Sequence, residues 1–293
     1  MFSQVRTLGT KTIALVVDVT DSPSWDTPWQ DSQAGEELAA EESRPGRRWG
    51  SWPWLGALMI ARLGLQVAVE EAKGFLAILD PKATSYAADV VCRAVLESSS
   101  LAWWLLDPDI GADKRLARCL AYRMGSAQRT LQAIEHLGLG PEEDRSEYGE
   151  LPDDVAGEIA CLGLTHGKDP RGRPSCDGEA CPSYTDRVAA LVGQVWPQQK
   201  ISYALLSAVG HGEVLGLARS LGQSPGEAKP RRWFPDAPSA AVWIWHDTYL
   251  VLTALTLSAE RAARFLNLPE QVEALRRWGE GFTREMAALR PAD

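Results

Sequence analysis

Three short stretches place polar, reactive side chains inside otherwise apolar sequence. In the first, Arg93 and Glu97 stand four residues apart, about one turn of an α-helix. The run Tyr86, Val90, Arg93, Glu97, Leu101, Trp104 advances by 4, 3, 4, 4 and 3 residues and so shares one helical face. Val91, Val95, Ala102 and Leu105 flank it. A charge that faces a core must find a partner. The pair therefore reads either as a structural ion pair tethering neighbouring helices or as the polar wall of a pocket. In the second stretch, Tyr203, Ser207 and His211 follow at i, i+4 and i+8, with no charged residue between Lys200 and His211. An imidazole near neutral pH can act as a general base or contact a ligand; the plain alternative is a hydrogen-bonded core histidine. In the third, His246 and Asp247 interrupt the apolar run AAVWIWHDTYLVLTALTLSA at 240–259. Neighbours on a helix point about 100° apart, so the two cannot both face one partner squarely. A buried member of this pair needs a partner, and Arg93–Glu97 is an available one. The candidates are thus His211, Glu97 and Arg93 for catalysis, and Tyr203, Ser207, His246 and Asp247 for binding.

Metal and cofactor signatures are mostly incomplete. Cys161-x4-His166 and Cys176-x4-Cys181 could supply four zinc ligands, but the loop that carries them is Gly/Pro-rich without aromatic support. His211-Gly212-Glu213 matches the first half of a zinc-deaminase pattern, and no cysteine follows it. There is no Glu-x-x-His for a di-iron bundle. The expectation is a chain without metal or cofactor.

The elements that must position these residues are helices. Apolar residues at helical spacing cover 54–79, 83–106, 113–137, 151–164, 184–195, 201–221 and 239–266, and Pro269 opens a last helix. Asp80-Pro81, Asp107-Pro108 and Gly138/Gly140 stop the first three. Residues 165–183 and 222–235 read as Gly/Pro-containing loops. Residues 11–18, KTIALVVD, read as one short strand without a partner. Residues 19–50 mix Asp, Ser, Pro, Glu and Gly with Trp25, Trp29 and Trp49, and read as poorly structured, with a transient helix at 35–42. The expected architecture is all-α: a single multi-helix, bundle-like domain at 53–293 behind an N-terminal extension at 1–52, with no sheet of three or more strands. In the last helix Val272, Leu275, Gly279, Phe282, Met286 and Leu289 form a narrow apolar seam. It caps its own bundle, the favoured reading, or pairs with a second copy in a homodimer.

Composition narrows the function classes. The net charge is −9 and the sequence pI about 5.1, so an acidic surface opposes nonspecific binding of nucleic acid. The five cysteines are an odd number, and Met1–Arg6 lacks the charged start and long apolar run of a secretion signal. Free thiols in a reducing cytoplasm are expected. The 240–259 run is nearly long enough to span a bilayer, but His246 and Asp247 point to a buried central helix rather than a membrane span. The 12 tryptophans, several in the most apolar helices, read as packing mass.

Arg93-Ala94-Val95-Leu96-Glu97 and the pattern Tyr203-x-x-x-Ser207-x-x-x-His211-Gly212 resemble helical bacterial proteins of the HEPN-like group, many of them uncharacterised or linked to abortive infection. The resemblance spans about residues 55–220. It implies a helical bundle with an inward polar cluster. Active HEPN ribonucleases carry an Arg and a His separated by four to six residues; here that spacing occurs at Arg129-x6-His136, on an amphipathic helix. Three functions follow as expectations. The first is a ligand-sensing or partner-binding protein acting through a buried polar pocket. The second is a metal-independent HEPN-type ribonuclease, needing a basic cleft built from residues such as Arg115, Arg118, Arg123 and Arg129. The third is a small-molecule enzyme using His211 and Glu97 as an acid–base pair.

Overall fold

Long stripes of apolar residues at 3.6-residue period can be removed from water only by packing helix on helix. The computed structural model, which describes residues 2–43, 52–79, 86–136, 152–195, 203, 204, 206, 207 and 237–290, shows this arrangement. Its helices are α1 (Phe2–Thr20), α2 (Gln33–Glu42), α3 (Trp52–Ile78), α4 (Tyr86–Leu105), α5 (Ala112–His136), α6 (Pro152–Cys161), α7 (Tyr184–Val192), α8 (Ala237–Phe265) and α9 (Pro269–Ala288). The fold is all-α and bundle-like. Helix α3 lies along α4, α4 lies along α8, and α1 crosses α3, α8 and α9. Trp54, Leu65 and Phe75 from α3, Leu96 and Leu105 from α4, and Val251 and Leu255 from α8 are fully buried where these helices meet. Gly64 makes the α3–α4 approach close: a Cβ there would stand 3.1 Å from the Ser98 carbonyl oxygen.

The 240–259 run lies within α8, whose Leu250, Val251, Leu252, Ala254 and Leu255 are all buried. Among the described residues no helix is long and apolar enough to cross a membrane. The α9 seam packs within the chain. Leu275, Phe282 and Met286 are buried, Trp278 and Tyr249 lie beside Phe282, and the Trp245 indole N–H donates to the Met286 carbonyl at 2.6 Å.

The N-terminal region differs from the reading of its sequence. Residues 11–18 are not a strand but the second half of α1. The β-branched residues there belong to a longer stripe, Val5, Leu8, Thr12, Val16 and Val19, which is buried on one helical face. Burial of that stripe against three helices outweighs the modest β-preference of Ile and Val. Gly9 lets α1 sit tightly on α3, since a Cβ there would stand 2.5 Å from Leu76 Cδ2. The Trp278 indole N–H donates to Thr12 Oγ1 at 2.8 Å.

Nor are the described residues 19–43 poorly structured. A single 3-10 turn at Pro23–Trp25 buries Trp25, whose indole N–H donates to the Val19 carbonyl at 2.8 Å. Ser32 then caps α2 by accepting from the Gly35 N–H at 2.9 Å. Trp29 remains exposed, and Trp49 lies outside the described residues.

A second correction falls at 165–183, where a three-stranded antiparallel sheet replaces the expected loop. Strand β1 (His166–Lys168) pairs with β2 (Pro174–Cys176), and β2 with β3 (Glu179–Ala180). Asp177 and Gly178 take φ of 48° and 81°, the two left-handed positions of a tight hairpin turn. In the other turn, Asp169 Oδ1 accepts the backbone N–H groups of Arg171 and Arg173 at 3.0 and 2.8 Å. The sheet lies against α5 and leaves the fold class unchanged.

Candidate functional site

The sequence stripe on α4 does deliver its polar pair. Arg93 Nε donates to Glu97 Oε1 at 2.6 Å, one turn along the helix, and each side chain keeps 21% of its surface exposed. The pair is thus at the edge of the core, not sealed within it. Its cross-helix partner is Tyr203, a residue only 2% exposed, whose hydroxyl donates to the same Glu97 oxygen at 2.6 Å. Ser207 lies one turn further along this segment and is half-buried. His211, the residue expected to do acid–base work, lies outside the described residues.

A fourth group enters from α3. Glu71 follows the inward stripe Gly64, Ala68, Glu71, Phe75, so its carboxyl is brought to α4, where Ser98 hydrogen-bonds it. Burial, together with the charge of nearby Glu97, raises the Glu71 pKa above its ordinary value, against the lowering effect of Ser98. One carboxyl oxygen, Oε2, is buried with no hydrogen-bond partner among the described residues. The signal was available in the sequence: an acid on the buried stripe of an apolar helix. Beside Glu70, however, Glu71 reads as half of an ordinary charged pair.

Burial also pushes the Tyr203 hydroxyl well above the usual phenol range, and Glu97 adds to it. Tyr203 therefore remains a proton donor at any ordinary pH. For Arg93 burial works against the charged form, but the bond to Glu97 and the contact with Tyr203 prevail, and its pKa is raised. The cluster thus combines a fixed cation, a fixed O–H donor, a carboxylate held by both, and a second carboxyl that retains its proton more readily than usual.

His246 and Asp247 occupy α8. They bond to each other, His246 Nδ1 to Asp247 Oδ1 at 3.0 Å, and Trp243 meets the His246 ring edge-on. Asp247 is buried; its backbone carbonyl accepts the Cys92 thiol at 3.7 Å, which ties α8 to α4 one residue before Arg93.

The cysteines of the two x4 pairs have separate surroundings. Cys161 is exposed, while burial, with a smaller effect from Asp177, pushes the Cys176 thiol up to about 12. The thiol of Cys181 takes the Arg187 guanidinium at 3.0 Å. Among the described residues no three His, Cys, Asp or Glu side chains gather as a metal would need.

The arginines that a basic cleft would use are largely engaged. Arg115 is fully buried against Glu37, Arg118 is held by Asp107 and Glu179, and Arg123 by Glu158. Arg129 and His136 are exposed on α5. Comparison of the chain with protein-family models, curated proteins and solved structures finds no match.

Proposed function

We propose that the protein binds a small ligand at the cluster of Glu71, Arg93, Glu97 and Tyr203, and that the ligand presents a positively charged or N–H-rich group to Glu71. The observation that carries this reading is the buried Glu71 Oε2, which has no donor among the described residues. A buried carboxylate oxygen without a partner is costly, and a ligand donor removes that cost. Glu97 cannot exchange its role with Glu71, because its Oε1 already takes Arg93 and Tyr203. With Glu71 ionised, the two carboxylates outnumber the single arginine, so the cluster favours a cation. The partial exposure of Arg93 and Glu97 gives such a group a route from solvent.

Isothermal titration with methylguanidinium, n-butylamine and benzamidine tests the reading. Binding should strengthen as pH rises and Glu71 ionises, and Glu71→Gln should abolish it. Absence of binding by all three, or binding indifferent to Glu71→Gln, would overturn the proposal.

The same pair supports a second reading, acid–base catalysis with Glu71 as the proton donor, because two neighbouring carboxyls in unlike environments are a common way to divide acid and base roles. Turnover of a bound ligand would separate it from simple sensing. The HEPN-type ribonuclease reading draws less support, since Arg115 is buried and Arg118 and Arg123 are paired with carboxylates.

A further inference from the structure

The α8–α9 hairpin holds a cleft of about 380 Å³, within the range that small-molecule sites occupy. Its floor is formed by Thr253, Thr256 and Leu257 of α8 and by Leu275, Gly279 and Phe282 of α9. A threonine inside a helix usually returns its hydroxyl to a carbonyl one turn back. Thr248 does so at 2.7 Å to Ile244, and Thr283 does so at 2.8 Å to Gly279. Thr253 and Thr256 do not. They are 3% and 4% exposed, and the Oγ1 of each is buried with no partner among the described residues. Two threonines with unmet hydroxyls therefore stand on the floor of a cleft whose rim carries Glu260, Arg276, Glu280 and Thr283.

Gly279 maintains that space. A Cβ built there would approach nothing closer than Thr256 Cγ2 at 3.6 Å, so packing does not demand glycine at this position. Its lack of a side chain leaves room over the threonines. At the mouth, Glu260 accepts both Arg264 and Arg276, and Glu280 also lines the cleft, so two carboxylates stand against the two guanidinium groups. The floor offers hydroxyl dipoles but no charge to balance an ion, and an ion there would be left without its partner.

We propose that the α8–α9 cleft is a second binding site, for a small uncharged and mainly apolar molecule bearing an amide or hydroxyl group that pairs with Thr253 and Thr256. The ring or chain of this molecule lies on Leu257 and Phe282, and its polar end reaches the two hydroxyls. This site shares no residue with the Glu71 cluster and does not depend on the reading of that cluster.

Saturation-transfer NMR and calorimetric titration of the full chain with benzamide, with benzoate as its charged counterpart, provide the test. Benzamide should bind about tenfold or more tightly than benzoate. The paired substitutions Thr253→Val and Thr256→Val should weaken benzamide binding by about tenfold without lowering the melting temperature, because they remove unmet hydroxyls at nearly constant volume. Gly279→Leu should block binding by filling the cleft. Failure of benzamide to bind, equal binding of benzoate, or full retention of binding by the double-valine variant would each overturn the proposal. If Gly279→Leu does not fold, the double-valine comparison still decides.

Discussion

Replacing Glu37 with alanine should be among the most damaging single changes to this fold, although the residue lies in a region whose sequence suggests little structure. Glu37 Oε2 accepts Arg115 Nε at 2.9 Å and the Trp54 indole N–H at 3.0 Å; Oε1 accepts Arg115 Nη2 at 2.9 Å and Gln33 Nε2 at 3.1 Å. Arg115 is fully buried, lies 4.3 Å from the Phe265 ring centre, and also donates to the carbonyls of Leu105, Asp107 and Ile110. Glu37→Ala leaves that guanidinium bonded to carbonyls but without a counter-charge. Breaking a buried pair from one side costs about 3–5 kcal/mol, and the indole N–H loses its acceptor as well. Against a total stability of about 5–15 kcal/mol this is a large fraction. At about 2–4 °C per kcal/mol for a chain near this size, the melting temperature should fall by on the order of 10 °C. Urea unfolding followed by far-UV circular dichroism measures the loss directly. Converting both partners to methionine should recover most of it, because a packed apolar pair needs no counter-charge. A loss below about 1 kcal/mol for Glu37→Ala would refute the reasoning, since a buried guanidinium cannot be stranded so cheaply.

Glu71→Gln carries a pH signature. Its folded pKa lies above the ordinary 4.5, so the unfolded chain ionises first and stability falls as pH rises through the folded value. Thermal melts between about pH 4 and pH 7 should show the variant gaining on the wild type as pH increases; parallel curves would remove Glu71 from the buried cluster. Glu97→Ala should cost about 1.5–3 kcal/mol, the range for hydrogen bonds to a charged group, because the Arg93 it releases is partly exposed and can turn to water. A chemical melt identical to wild type would show that Tyr203 and Arg93 do not depend on it. Phe282→Asp puts a charge into a site 2% exposed and enclosed by Trp278 and Tyr249, so it should melt well below wild type with no change of mass by light scattering. A dimer converted to folded monomer would instead assign this seam to a second copy.

The long helices were legible because their apolar stripes repeat over many turns and their ends are marked. The stripes at 54–79, 83–106, 113–137 and 239–266 match α3, α4, α5 and α8 within a few residues at each end, and Asp107-Pro108 and Pro269 mark the end of α4 and the start of α9. The Arg93–Glu97 pair was legible for the same reason: the i, i+4 geometry is local to one helix. The β-hairpin at 166–180 was also encoded locally, in Asp177-Gly178, but its strands of two and three residues are too short to show alternation. Residues 11–18 resemble a strand because their β-branched run is only part of the wider helical stripe from Val5 to Val19.

What the sequence by itself determined was the helical class and the placement of charge on single faces, since both depend on neighbours within a turn or two. What only the tertiary structure decided was which charges meet. Glu37 joins Arg115 across 78 positions, Tyr203 reaches Glu97 across 106, and Glu71 lies beside Glu97 because Gly64 lets α3 approach α4. Periodicity fixes the face on which a side chain stands but leaves open which helix packs against that face. A buried charge is satisfied by whichever partner the packing brings, so the pairings are a property of the assembled bundle and not of any one segment.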